Sequence, residues 1–164
     1  MLYVEENNFI IRPYDPQDLS FFLEMYNDKE VMTFIPGGLK EWNAHDVEEK
    51  MVKYNTQPGI GIHTVETKEH EFMGEAGIFN YPETDAYEIG FILRRNFWNQ
   101  GYGTKVCKTL LSYCRTNLHA KRVYARLYKQ NSGSAKVCIK SGMKLVQEDI
   151  LPDGSVRLTF SIDL

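Results

Sequence analysis

The run Asn99-Gln100-Gly101-Tyr102-Gly103-Thr104 stands between a strand-forming segment and a helical one. Before it, Tyr87-Glu88-Ile89-Gly90-Phe91-Ile92-Leu93 is rich in strand formers; after it, Lys105 to Asn117 has helical spacing. The first N–H groups of a helix lack helical partners, the helix dipole adds partial positive charge there, and glycine lets a ligand come close to the main chain. Such a junction suits an anion, and a diphosphate fits it. Gly59-Ile60-Gly61 is a second Gly-x-Gly with no helix after it, so the context carries the reading and the tripeptide does not.

A second cluster follows in Asn131-Ser132-Gly133-Ser134-Ala135-Lys136-Val137-Cys138-Ile139-Lys140-Ser141-Gly142-Met143. Together with Trp98-Asn99-Gln100-Gly101-Tyr102-Gly103 it resembles the GNAT superfamily of acyl-CoA-dependent N-acetyltransferases. Their patterns are R/Q-x-x-G-x-G/A after the fourth strand and N-x-x-S/A…K-x-G-F after the fifth. The RimJ/RimL-type branch is the most similar in pattern. It often opens with an L-R-P strand, an acidic helix and a D-x-x-V-M-x-F-x-P-G run, like Ile11-Arg12-Pro13 and Asp28-Lys29-Glu30-Val31-Met32-Thr33-Phe34-Ile35-Pro36-Gly37 here. The resemblance covers essentially the whole chain.

The resemblance implies acetyl-CoA as co-substrate, coenzyme A as product, and direct attack by a primary amine. It assigns the cofactor to Phe91, Ile92 and Leu93, to the loop from Asn99 through Gln100, Gly101, Tyr102 and Gly103 to Thr104, and to Asn131 and Ser134. A backbone N–H near Ile92 or Leu93, where this strand bulges in the family, would meet the thioester carbonyl as it becomes an oxyanion. The amine must be neutral to attack, which at pH 7 costs a lysine-like nitrogen about 4 to 5 kcal/mol and an N-terminal one about 1.

Glu88 matches the glutamate that some members use as base, its other reading being an ion-paired strand carboxylate; Tyr87, His63 and ordered water are the alternatives. Ser134 matches the motif serine beside the leaving sulfur, and Asn131 the pantetheine contact, with a helix cap as its alternative. The tyrosine that many members carry seven residues after that asparagine, and that protonates the thiolate, is Cys138 here, so Cys138 or water stands as the acid. Trp98 occupies the usual Gln or Arg position. Arg94, Arg95 and Lys136 are further phosphate candidates. Phe34 and Trp42, with Glu88, are candidates to line the acceptor end. A non-catalytic acyl-CoA sensor of the same fold is the alternative function.

These side chains need a scaffold, and 164 residues at 43% hydrophobic and 25% charged fit one domain, 1–164. A strand at Asn8–Arg12 precedes a helix opened by Asp15-Pro16-Gln17-Asp18, with Leu19, Phe22, Leu23 and Tyr26 on its buried face. A second helix runs from about Asn43 to Asn55. Ile60–Glu66 and Phe72–Asn80 read as a hairpin, and Tyr81-Pro82-Glu83-Thr84-Asp85 as a turn. Val123, Ala125 and Leu127 alternate with Tyr124, Arg126 and Tyr128 in the next strand. Ser132–Ser141 reads as a helix ended by Gly142, and Pro152-Asp153-Gly154 as the turn of a last hairpin.

The class is α/β (α+β). The resemblance implies a mixed, mostly antiparallel sheet of six to seven strands with about four helices, splayed between strands 4 and 5. A net charge of −3 disfavours a nucleic-acid partner. No apolar run near 18 residues or leader pattern is evident, so no membrane contact and a cytoplasmic location are expected. Three unpaired cysteines read as core thiols, and four histidines lack metal-ligand spacing, so no metal is expected. The expected partner is a small-molecule amine or a protein N-terminal amine, and the chain is expected to be a monomer or homodimer.

Overall fold

A computed structural model describes residues 2–83 and 85–164. Thr84, inside the expected turn, lies outside the described residues. The described residues form β1 (Val4–Glu5), β2 (Ile10–Pro13), α1 (Leu19–Tyr26), α2 (Lys29–Met32), α3 (Ala44–Tyr54), β3 (Gly61–Glu66), β4 (Phe72–Asn80) and β5 (Ala86–Leu93). There follow α4 (Tyr102–Thr116), β6 (Arg122–Tyr128), α5 (Ser132–Lys140), β7 (Lys144–Ile150) and β8 (Val156–Asp163). The strands make one eight-stranded sheet in the order β1-β2-β3-β4-β5-β6-β8-β7.

The fold class is the expected one, and its pairs are antiparallel except β5 with β6. The extra strand is β1, a two-residue edge that precedes the expected first strand, and the extra helix is α2, a single turn capped by the Asp28 side chain. Both are too short for periodicity to reveal.

Apolar alternation assigns the two faces of the sheet. Val65, Ala76, Ile78, Ile89, Val123, Ala125 and Leu127 point to one core, closed by Val106, Leu110 and Leu111 of α4 and Cys138 of α5. Ile62, Phe72 and Ile92 point to the other, closed by Phe22, Met25 and Tyr26 of α1 and Val47 and Met51 of α3.

The second layer is pinned by charge as well as by packing. Arg12 donates from both terminal nitrogens to the buried Asp18 at 2.8 Å each, and from Nη2 to Glu66 at 2.8 Å. Thr64 donates to the same aspartate at 2.8 Å. A buried carboxylate is tolerable only when its lone pairs are met in this way, so the motif arginine fixes where α1 begins. Capping boxes at Asp15/Asp18 and Asn43/Asp46 start the 3₁₀ turn before α1 and start α3 at the expected caps.

The bulge expected near Ile92 and Leu93 lies one strand away. The register of β5 on β4 is continuous through Leu93, whereas between β3 and β4 the pairing steps from Val65↔Gly74 to Glu66↔Phe72. The extra residue, Met73, reverses the alternation of β4 and turns Glu75 towards the α1–α3 layer.

Candidate active site

The central opening comes from the parallel pair. Ala86, Tyr87 and Glu88 of β5 face Arg122, Val123 and Tyr124 of β6, and past Glu88 the described strands part. This is the splay expected between the fourth and fifth strands. Main-chain parity then decides what faces the gap. Arg94 N–H donates to Met73 O at 2.9 Å, so along the antiparallel ladder Ile92 and Gly90 turn their main-chain groups to β4, and Phe91 and Leu93 turn theirs into the wedge. Trp98 agrees, because its indole Nε1 donates to Leu93 O at 2.7 Å. Of the two N–H groups expected as carbonyl donors, that of Leu93 faces the wedge. That of Ile92 faces β4, and its side chain is buried in the second core.

At the end of β5 the chain enters the loop. Asn99 (φ 57°) and Gly101 (φ 81°) both take the left-handed conformation. Gly101 is the N-cap of α4 and has no side chain to cap it. The bond from Lys105 N–H to Gly101 O, 3.2 Å, closes the first turn, so the N–H groups of Tyr102, Gly103 and Thr104 have no helical partner. Gln100 turns back, donating from Nε2 to Asn96 O at 2.6 Å. A diphosphate fits this cluster of unclaimed donors.

Gly103 also answers a packing constraint. A Cβ on it would lie 3.2 Å from Phe91 Cε2 and from Val137 Cγ2, so it lets α4 close onto β5 and α5. Arg94 pairs with Glu24 at 2.7 Å, and Arg95 with Asp28 at 2.8 Å and Glu30 at 3.1 Å. These arginines therefore tie the loop to α1 and α2, while Lys136 is exposed.

On α5, Asn131 is the N-cap, its Oδ1 accepting from Ser134 N–H at 3.1 Å. The cap uses the oxygen alone, and among the described residues Nδ2 has no acceptor. Ser134 is half-buried in the first turn. The Cys138 thiol, expected as an acid, is buried in the first core, and burial pushes it up to about 12, with Cys107 adding to the shift. It is a packed core group and a poor proton donor.

The face expected to take the acceptor is the one under α1 and α3. Glu88 lies there, held by Arg126 of β6 through Nε at 2.9 Å and Nη2 at 2.5 Å, both to Oε2. The ion-paired reading of Glu88 is thus present in the structure. Holding the carboxylate raises the Arg126 guanidinium above its ordinary value, and Arg126 also lies over the Tyr81 ring, 5.7 Å from its centroid. Trp42 is locked to Asn27 at both main-chain groups and lies 4.7 Å from the Tyr26 ring. Phe34 is 38% exposed at the edge of this layer. His63 and Tyr87 face the first core instead, and burial drives the His63 imidazole down to about 4.

Two groups were missed in the sequence. Arg126 was read only as alternating with the apolar positions of its strand, and the parallel register that brings it to Glu88 has no local sign. Glu75, buried, accepts from Tyr26 Oη and lies 3.4 Å from Lys50, whose ammonium also donates to Tyr26 Oη at 2.6 Å. A carboxylate inside the apolar run Phe72–Phe79 was the available signal.

The wedge with its main-chain donors closes on an uncapped helix start, and residues 8–144 match the family described as acetyltransferase (GNAT) domain. The chain belongs to the GNAT acetyltransferase family. An uncharacterized N-acetyltransferase of Bacillus subtilis (strain 168), YnaD, is 23% identical over 143 residues, covering 87% of this chain and 83% of its own. The spermidine N-acetyltransferase of Vibrio cholerae, solved with CoA and spermine, superposes with a TM-score of 0.82 at 15% identity, covering 96% of each chain. RimL, the ribosomal L7/L12 alpha-N-protein acetyltransferase solved with coenzyme A, gives 0.87 at 12% identity over 99% of this GNAT chain and 98% of its own.

Proposed function

We propose that this GNAT protein is an acetyl-CoA-dependent N-acetyltransferase of the RimJ/RimL type, acting on a primary amine by direct attack. One observation carries the reading. The N–H groups of Phe91 and Leu93 face the wedge, and the strand leads straight to the free N–H groups of Tyr102, Gly103 and Thr104. Thioester and diphosphate thus have donors at the two ends of one path.

In the proposed step the amine nitrogen attacks the thioester carbon, the C–N bond forms and the C–S bond breaks. The nitrogen's proton passes to Glu88, directly or through water. Oε1 is its acceptor, since Arg126 uses Oε2 alone. A wedge N–H stabilises the oxyanion. The departing thiolate meets the Ser134 hydroxyl and takes its proton from water, Cys138 being buried.

The names of the superposed enzymes cover a polyamine and a protein N-terminus, and both classes belong in the test. Free thiol released from acetyl-CoA is followed with n-butylamine, spermidine, alaninamide and a short peptide. Amine-dependent release is expected. Tight coenzyme A binding with no release for any amine would overturn the transferase reading in favour of a binding module.

A further inference from the structure

On the acceptor face of the sheet one position has no cover. Gly90 sits between Glu88 and Ile92 on β5, and a Cβ built on it meets nothing within 4 Å. Its backbone is outside the left-handed region, so conformation does not require glycine there. Its partner across the β4–β5 ladder, Gly77, differs: a Cβ there would lie 2.5 Å from the tip of the Phe79 ring, which folds back over it. The Phe79 ring is itself backed by Tyr54, 5.2 Å between centroids. Gly90 therefore floors a notch in the middle of the sheet, with Phe79 as one wall and the Glu88 carboxylate at one end. It is next in sequence to Phe91, whose N–H opens into the wedge.

We infer that Gly90 sets the width of the acceptor subsite, and that the notch takes the substituted carbon of an amine on a branched α-carbon, the form of a peptide α-amino group. This rests on the transferase reading above and deepens it. A linear alkylamine needs little room beside its nitrogen, whereas an α-branched one carries two substituents there. Main chain with no side chain is the floor that admits them. One methyl group in such a pocket discriminates by about 10- to 200-fold.

Two measurements test it. In the first, Gly90→Cys is treated with methyl methanethiosulfonate in saturating coenzyme A, the wild type serving as control. The native thiols are slow because all three are buried, Cys114 and Cys138 held near 12 by that burial. The introduced thiol should react at least tenfold faster than any native one and be protected by alaninamide. In the second, Gly90→Ala should lower kcat/KM for alaninamide at least tenfold more than for n-butylamine, with coenzyme A affinity within twofold of wild type.

An unreactive or unprotected thiol, or equal losses for the two amines, would overturn the inference. Unchanged selectivity in an active Gly90→Ala enzyme removes the notch and leaves the transferase. Protection by alaninamide in a protein that turns over no amine keeps the notch and removes the transferase.

Discussion

Arg126, two residues past the last paired position of β6, grips Glu88, the last paired residue of β5, and both of its bonds, 2.9 and 2.5 Å, fall on the same carboxylate oxygen. The pair ties the strands together where the wedge opens and leaves the other oxygen, Oε1, clear of the arginine. In the role of base proposed above, a carboxylate anchored in this way loses little entropy on meeting its proton.

Replacing Glu88 by Gln keeps the size and loses the proton acceptor. Turnover near neutral pH should fall about 10²-fold while coenzyme A affinity holds. The deficit should narrow as pH rises towards the amine's own pKa, where free amine forms unaided. A pH–rate profile from 7 to 10 reads this out, and a constant deficit would assign Glu88 to positioning.

At the cradle, Gly101→Ala forces a side chain into a left-handed N-cap at φ 81°. It should cost about 1 to 2 kcal/mol locally and weaken coenzyme A binding at least tenfold, measured by calorimetry. Gly103→Val should act differently: with Phe91 and Val137 3.2 Å from its Cβ, it should lower Tm by several degrees as well.

Cys138→Ala should cost about 1 kcal/mol of stability and leave turnover within about twofold, because its thiol is a packing group. Cys138→Tyr, which would restore the family's acid, should instead destabilise the fold by about 1 to 3 kcal/mol by overfilling the core. Denaturant melts beside initial rates separate the two effects. A large rate loss in a fully stable alanine variant would return the thiol to the chemistry.

His63 sets a pH window for stability. Its pKa falls from 6.5 unfolded to about 4 folded because burial penalises the imidazolium. Stability from the neutral ring is present above 6.5 and is lost as pH falls from 6.5 towards 4, by about 3 kcal/mol in all. Urea melts at pH 7 and 4.5 should differ accordingly, and His63→Gln should flatten the difference.

Long periodic elements were legible in the chain: α3 lies between its expected caps Asn43 and Asn55, and both late hairpin strands and the Gly142 stop are where turn chemistry places them. The order of strand, glycine loop and helix start was legible because the three are contiguous. What escaped depends on register. Glu88 meets Arg126 through a parallel pairing set by the distant β6, and Glu75 turns to α1 because Met73 bulges. Gly103 was read only for its approach to a ligand; its neighbour Val137 is on a helix 34 residues away in sequence, and only packing reveals that contact.

The most direct test of acetyl transfer in the wedge is the order of the two substrates. Initial rates at several fixed acetyl-CoA concentrations, varied against an amine the enzyme accepts, should give intersecting double-reciprocal lines, since both substrates must be bound for direct attack. Parallel lines, with label from acetyl-CoA retained on the protein before amine is added, would mean a covalent acetyl-enzyme and contradict direct transfer.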